Sequence, residues 1–82
     1  MSAVADLLTA ARQSHTAYRR VSDARDVAQA VAHVRSALAS RQAAQDADPE
    51  HADPAWVGEG VAHQALLDFY RGYLERAEAR GL

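Results

Sequence analysis

The chain has 82 residues, a formal net charge of −2 and no cysteine, and all nine of its basic residues are arginine. This charge gives no reason to expect a nucleic-acid or anionic-membrane partner, and the lack of cysteine excludes a fold stapled by disulfides. No apolar run approaches the roughly 18 residues that a membrane span needs.

The expected hydrophobic core is thin. Hydrophobic residues make up 49% of the chain, but twenty of them are alanine, which buries little apolar area. The free energy gained by burying these side chains therefore exceeds the conformational-entropy cost of folding by little. Because alanine, leucine, arginine and glutamine favour helices, we expect one all-α domain over residues 1–82. We expect a small three-helix bundle, or a helical hairpin with a third helix, completed by self-association or by a protein partner.

Two helices are predicted in the first half of the chain. In residues 3–20 apolar side chains recur at the helical period of 3.6, and in residues 24–45 they recur at steps of four, three and four, as in a heptad seam. The first stripe comprises Val4, Leu7, Ala11, Ser14 and Tyr18. The heptad seam comprises Val27, Val31, Val34 and Leu38. We take this seam as one candidate protein interface.

A single long helix is the alternative, because no glycine or proline separates these two segments. At about 100° per residue, however, the heptad seam would lie about 160–200° round the helix from the first stripe. One straight helix would then bury opposite faces at its two ends, unless a partner covered each face separately. Ser22 and Asp23 are suitable N-caps, which favours a tight turn near residues 21–23.

A second face of the second helix consists of small residues: Ala28, Ala32, Ser36, Ala39 and Ala43. Small side chains allow close helix packing, so one interpretation places this helix centrally, packed on two sides. The other interpretation is that alanine fills a surface facing solvent. We favour the second interpretation.

The third helix is predicted over residues 59–80, with Gly81 as its C-terminal stop. Its apolar arc is wide, about 200° at the helical angle per residue, which exceeds what a three-helix monomer usually covers. The arc comprises Ala62, Ala65, Leu66, Phe69, Tyr70, Tyr73 and Ala77, with Leu67 and Leu74 beyond. We take Leu67, Tyr70 and Leu74 as a second candidate interface.

Residues 46–58 join the second and third helices and begin with the acidic stretch DADPEHADPAW. A calcium loop is excluded because His51 stands where glycine is needed and Val57 where a bidentate glutamate is needed. A zinc site built on His51 with Asp48 or Asp53 would need a third and a fourth ligand, and only His63 is within easy reach. The Asp-Pro pair occurs twice and favours turns, so we expect a hinge without metal or cofactor, in which the tryptophan covers the helix ends. The hinge residues are Asp48, Pro49, Asp53, Pro54 and Trp56.

Trp56-Val57-Gly58, between two helices, resembles the Trp-x-Gly turn of the small helical-hairpin secretion substrates of Gram-positive bacteria. The resemblance covers these three residues and their placement, and it implies a secreted helical hairpin. The chain departs from the family in its double Asp-Pro and its shorter second helix. Neither Tyr70 nor Tyr73 is followed by an acid four residues later, as the family's secretion signal requires.

No catalytic arrangement is visible in the sequence. There is no cysteine nucleophile and no serine elbow, and Ser14 and His15 are adjacent on a helix, about 100° apart. The glycines at positions 58 and 60 are too few for a phosphate loop, which would also need a lysine. We therefore expect neither an enzyme nor a small-molecule substrate.

Charge is distributed unevenly along the chain. Residues 1–45 hold six arginines and three acids, residues 46–68 hold six acids and no base, and the remainder holds three arginines and two acids. Such polarity suits association in which the acidic hinge of one copy meets the arginine-rich helices of another.

The expected function is that of a non-enzymatic adaptor or assembly protein in the cytoplasm or in a virion. Phage structural subunits, inhibitors of host defence and antitoxin-like partners are examples of this class. The start of the chain, MSAVADLL, lacks the basic region and long apolar core of a signal peptide, which supports the cytoplasmic expectation. The alternative is a nucleic-acid-binding regulator that uses Arg12, Arg19 and Arg20.

Overall fold

Three α-helices account for most of the described chain. The computed structural model describes residues 2–21 and 26–81, and within these residues there is no strand. The helices are α1 (Ala3–Arg20), α2 (Val27–Ala47) and α3 (Gly60–Ala79), and a short 3-10 helix, Pro54–Trp56, lies between the last two. Principal dimensions of 40 × 21 × 18 Å describe a compact, elongated bundle. The prediction of an all-α fold with three helices is confirmed.

α1 and α2 form an antiparallel hairpin. Val4 and Leu8 near the start of α1 pack with Ala44 near the end of α2, whereas Tyr18 and Val27 share a groove at the other end of the hairpin. One straight helix could not make these contacts, so the single-helix alternative is wrong. The predicted N-caps at positions 22 and 23 lie outside the described residues.

The first helix begins and ends where its side chains favour it. The side chain of Ser2 accepts a hydrogen bond from the backbone amide of Ala5 at 3.0 Å, which satisfies one of the free amides of the first turn. Arg19 and Arg20 lie in the last turn, where positive charge is favoured by the helix dipole. Asp26, at the start of α2, makes no such capping bond through its side chain.

α2 is the central helix, because it packs against both α1 and α3. Its buried face repeats at alternating steps of four and three, the spacing of a heptad, through Ala30, Val34, Ala37, Arg41 and Ala44. The face of small residues is exposed at every position: Ala28, Ala32, Ser36, Ala39 and Ala43. Close approach of the helices therefore uses alanines within the buried face, and the second small face meets solvent.

The buried face of α3 is rotated from its predicted position. The buried residues are His63, Leu67, Tyr70 and Ala77. Three residues that the apolar pattern placed inward are exposed: Ala62, Ala65 and Phe69. The buried side lies towards the Leu67 edge of the predicted arc, and the polar His63 takes an inward position on it. The spacing of apolar residues alone therefore does not locate the buried face of α3.

Candidate functional site

The second candidate interface lies inside the fold. Tyr70 is 1% exposed and Leu67 is also buried. Tyr70 packs with Val34 and Ala37 of α2, and Leu74 lies partly buried against the same cluster. The placement of Leu67, Tyr70 and Leu74 on an exposed surface is therefore wrong, because Leu67 is buried and the other two side chains pack against α2.

The heptad seam of α2 is also used within the chain. Val31 and Val34 are buried, and Leu38 packs partly buried against the cluster around Tyr70. Val27, at the first turn of α2, is half-buried and lines a surface groove. Of the seam, Val27 alone is thus placed to contribute to a surface site in the described structure.

The loop between α2 and α3 is organised around Asp48. Its carboxylate accepts hydrogen bonds from the amides of Asp53 and Ala52, at 2.8 and 3.1 Å, and from Nε1 of Trp56 at 3.0 Å. The two backbone bonds are the main reason that the pKa of Asp48 lies below its usual value. Asp53 in turn accepts a bond from the amide of Ala55 at 2.8 Å and caps the 3-10 helix.

Trp56 lies buried over one end of the α1–α2 hairpin. Its ring packs against Val4, Leu8 and Ala44. On its other side the imidazole of His51 stacks on the indole, with ring centroids 3.8 Å apart and planes inclined by 5°. The side chain is thus held by apolar packing, by stacking and by the bond to the loop carboxylate.

The two prolines of this loop have different positions. Pro54 is the first residue of the 3-10 helix, where a fixed φ is favourable, and Pro49 lies in an exposed turn closed by the bond from the amide of His51 to the carbonyl of Asp48 at 3.0 Å. Over residues 2–21 and 26–81, no group of three His, Cys, Asp or Glu side chains is placed to hold a metal ion.

Arg41 is a charged side chain in the middle of the bundle, only 3% exposed. Its Nη1 donates to Oε1 of Glu59 at 2.7 Å and to Nδ1 of His63 at 3.1 Å. The other oxygen of Glu59 accepts a bond from Arg12 of α1 at 3.0 Å. A buried charge is tolerated when it is paired in this way, and the pairing ties all three helices together.

His63 is a polar link within the core. Because a guanidinium has donors only, Nδ1 of His63 accepts the bond from Arg41, and its Nε2 donates to Oε1 of Gln45 at 3.1 Å. Nε2 of His51 donates to the same oxygen at 2.6 Å. Burial, followed by the charges of Arg41 and His51, lowers the pKa of His63. Both the bond from Arg41 and the lowered pKa favour the neutral form of the imidazole in the folded chain.

A second polar link joins α3 to α1. The hydroxyl of Tyr70 lies 2.6 Å from Nδ1 of His15. Burial raises the pKa of Tyr70, although the charge of Arg41 opposes this effect. Burial and the charges of Arg19 and Arg41 lower the pKa of His15. The raised pKa of Tyr70 favours the protonated phenol and the lowered pKa of His15 favours the neutral imidazole, so a hydrogen bond between two neutral groups joins α3 to α1.

An open groove lies between the C-terminal parts of α1 and α3. Tyr18 contacts Phe69 and Tyr73 edge-on, with ring centroids 6.0 and 5.5 Å apart, and Phe69 is 40% exposed. The groove has two adjoining parts, with volumes of about 310 and 410 Å³. Three arginines line it: Arg76 and Arg80 in the first part and Arg19 in the second. We call this surface the aromatic groove.

The aromatic groove and the acidic loop occupy opposite ends of the bundle. The groove lies at the C-terminal ends of α1 and α3, whereas the loop joins the C-terminal end of α2 to the N-terminal end of α3. From Val61 to Arg76 the distance along α3 is about 22 Å, at 1.5 Å per residue. The loop end exposes Val57 and Val61, at 85% and 88%.

Sequence reasoning missed both the buried network and the groove. Arg41 and Gln45 continue the spacing of the heptad seam beyond Leu38, at steps of three and four, so a signal for the network was present. Arginine is rarely buried unless it is paired, so this spacing alone does not predict that Arg41 lies inside the bundle. The groove was harder to predict, because the apolar spacing within α1 and within α3 does not say that Tyr18 and Phe69 lie side by side.

Comparison with known proteins identifies no relative. No family model matches the chain, and no curated protein or solved structure matches it. The described helices also include none that is long and apolar enough to cross a bilayer. The aromatic groove and the exposed end of the acidic loop are the surfaces on which a functional proposal can rest.

Proposed function

We propose that this chain is a non-enzymatic adaptor or assembly subunit that binds another protein chain through the aromatic groove. The observation that carries the proposal is the grouping of Tyr18, Phe69 and Tyr73 beside arginines on an open surface. Aromatic and arginine side chains are enriched at the centres of protein interfaces and contribute much of their binding energy.

The chemistry of the groove favours an acidic partner segment. An apolar side chain of the partner packs among the three rings, and neighbouring carboxylates pair with the arginines. The arginines that would do so are Arg19, Arg76 and Arg80. This pairing accelerates the encounter and selects the partner more than it adds to affinity.

Internal bonds account for the two acid–base side chains of the buried network, His63 and Glu59. Both nitrogens of His63 are engaged, by Arg41 and by Gln45. Both oxygens of Glu59 accept bonds from arginines. A structural role explains these groups fully, which supports binding rather than catalysis as the function.

Single-stranded nucleic acid is a second candidate partner, because the exposed ring of Phe69 adjoins arginines in the groove, as in proteins that stack bases. The net charge of −2 and the acidic loop oppose it. Titration with a fluorescent oligonucleotide at about 0.15 M salt tests this candidate. Binding that weakens steeply with salt and is lost in Arg76→Glu would favour it over a protein partner.

The proposal is tested with a photo-crosslinking amino acid at position 69, in the organism that encodes the chain. Position 65 is the matched control, because Ala65 is an exposed residue of the same helix. We expect discrete protein adducts from position 69 that are absent from position 65. The same adducts from both positions, or adducts with nucleic acid alone, would contradict the proposal.

A further inference from the structure

We infer that the aromatic groove takes the valine-bearing loop of a second copy of this chain. This inference rests on the proposed function and names its partner. The described residues include three exposed large hydrophobic side chains, Val57, Val61 and Phe69. One of them belongs to the groove, and the other two, which we call the valine knob, lie at the opposite end of the bundle.

The valine knob is held in place by its own backbone. The amide of Val57 donates to the carbonyl of Pro54 at 3.0 Å, and the amide of Glu59 donates to the carbonyl of Trp56 at 2.9 Å. Trp56 is buried, so the turn is anchored on the inside while Val57 stays outside. Gly58, which follows Val57, has a φ of 86°, a backbone conformation that favours glycine. An exposed apolar group that is already ordered binds at a lower entropy cost.

Charge at the two ends is complementary. The knob lies within residues 46–68, which hold six acids and no arginine. Glu59 is already paired with two arginines, but Asp46 and Glu50 are exposed. The groove is lined by three arginines. A contact between the two ends would therefore place apolar groups among aromatic rings and surround them with pairs of opposite charge.

Geometry excludes the contact within one copy. Val61 and Arg76 are about 22 Å apart along a rigid helix, so the knob cannot reach the groove of its own chain. The contact must join two copies. Because knob and groove are different surfaces, repetition of the contact extends a chain or closes a ring, whereas two copies that lie antiparallel close as a pair.

The first measurement is sedimentation velocity of the unmodified protein from about 10 μM to 1 mM, at about 0.05 M salt. We expect the mean mass to rise with concentration and to fall when the salt is raised to about 0.5 M, because exposed charge pairs are screened. A mass that stays at one copy throughout would overturn the inference. Growth beyond two copies and arrest at two copies both support the contact.

Two variants then separate the surfaces. Phe69→Glu blocks the groove, and the double variant Val57→Asp, Val61→Asp blocks the knob; Ala65→Glu is the matched control for charge on α3. We expect each blocked variant to remain monomeric and the control to associate like the unmodified protein. A mixture of the two blocked variants should form pairs, since each supplies the surface that the other lacks. A mixture that stays monomeric while the unmodified protein associates would show that another surface is used.

Failure of this inference can be told apart from failure of the proposed function. If the unmodified protein is monomeric but position 69 crosslinks to a different protein, the second copy is wrong and the groove still binds protein. If position 69 gives no specific adduct, both proposals fall. Circular dichroism of each variant first establishes that it is helical, so a loss of association is not a loss of fold.

Discussion

Two arginines share the carboxylate of Glu59, and they differ in burial far more than in distance. Arg41 is 2.7 Å from one oxygen and Arg12 is 3.0 Å from the other, but their side chains are 3% and 51% exposed. An exposed ion pair contributes little because water and salt screen it. The loss of one partner from a buried pair is costly because the other charge is left without compensation.

We expect Arg41→Ala to lower the free energy of unfolding by about 3 kcal/mol, at the lower end of the range for broken buried pairs, because Glu59 keeps Arg12. Arg12→Ala should cost about 0.2–1 kcal/mol. Urea denaturation followed by the fluorescence of Trp56 measures both values. Equal costs for the two variants would mean that burial of Arg41 does not set the strength of this link.

Neighbouring positions 69 and 70 test which side of α3 is the core. Tyr70→Glu places a carboxylate where 1% of the side chain is exposed and removes the bond to His15, so we expect a cost of about 4 kcal/mol or more and loss of the helical circular-dichroism signal. Phe69→Glu, on the exposed side, should cost about 1 kcal/mol or less. An unfolded Phe69→Glu beside a folded Tyr70→Glu would reverse the assignment of core and surface.

The extents of the helices could be predicted from the sequence because local signals mark where they end. The first helix was predicted at 3–20 and is Ala3–Arg20, the third was predicted at 59–80 and is Gly60–Ala79, and the second begins three residues later than predicted, at Val27. The side of each helix that faces the core was harder to predict. In α3 the inward residues include His63, and in α2 they include Arg41. The two side chains bond each other, and Glu59 supplies the charge that pairs with Arg41. Such a pairing depends on contact between helices, which no local pattern records.

Two glycines in and beside α3 have opposite conformational requirements. Gly72 lies within the helix, and a Cβ there would meet only the end of the Arg76 side chain, 3.2 Å away, which can move. Gly58 has open space around it but a φ of 86°, which a residue with a Cβ adopts at a cost. The first glycine lowers helix stability, whereas the second is required by the turn.

We therefore expect opposite signs from the same substitution. Gly72→Ala should raise the free energy of unfolding by about 0.5–1 kcal/mol, because glycine loses more backbone entropy in a helix than alanine does. Gly58→Ala should lower it by about 1–2 kcal/mol, the strain of the left-handed conformation. Urea denaturation of the two variants under one set of conditions checks this. A stabilising Gly58→Ala would show that the turn at Trp56 does not need its glycine.

At the scale of the whole molecule, two apolar clusters lie on either side of a polar layer. One contains Val4, Leu8, Ala44 and Trp56, and the other contains Val34, Ala37 and Tyr70. Arg41 lies between Ala37 and Ala44 on α2 and carries the network that joins the helices. The stability of the bundle therefore depends on groups that titrate.

The direction of the pH dependence follows from the lowered pKa of His63, which faces Arg41, His51 and Glu59. Below its ordinary value of 6.5, the unfolded chain takes up a proton that the folded chain resists. The contribution of His63 is therefore fully present above about pH 6.5 and is lost as the pH falls. His15, whose pKa is also lowered, acts in the same direction, and Asp48 adds a further loss below its ordinary value of 3.8.

We accordingly expect the free energy of unfolding to fall as the pH is lowered from about 6.5 to about 5, measured by urea denaturation with Trp56 as the probe. His63→Gln should be less stable at neutral pH, because a buried polar partner of Arg41 is replaced, but its stability should fall less over the same interval. The difference between the two slopes isolates the proton taken up by His63 on unfolding. If the variant has the same slope as the unmodified protein, His63 is not the source of the acid sensitivity. His15→Asn would then be the next substitution to compare, because the fold also lowers the pKa of His15.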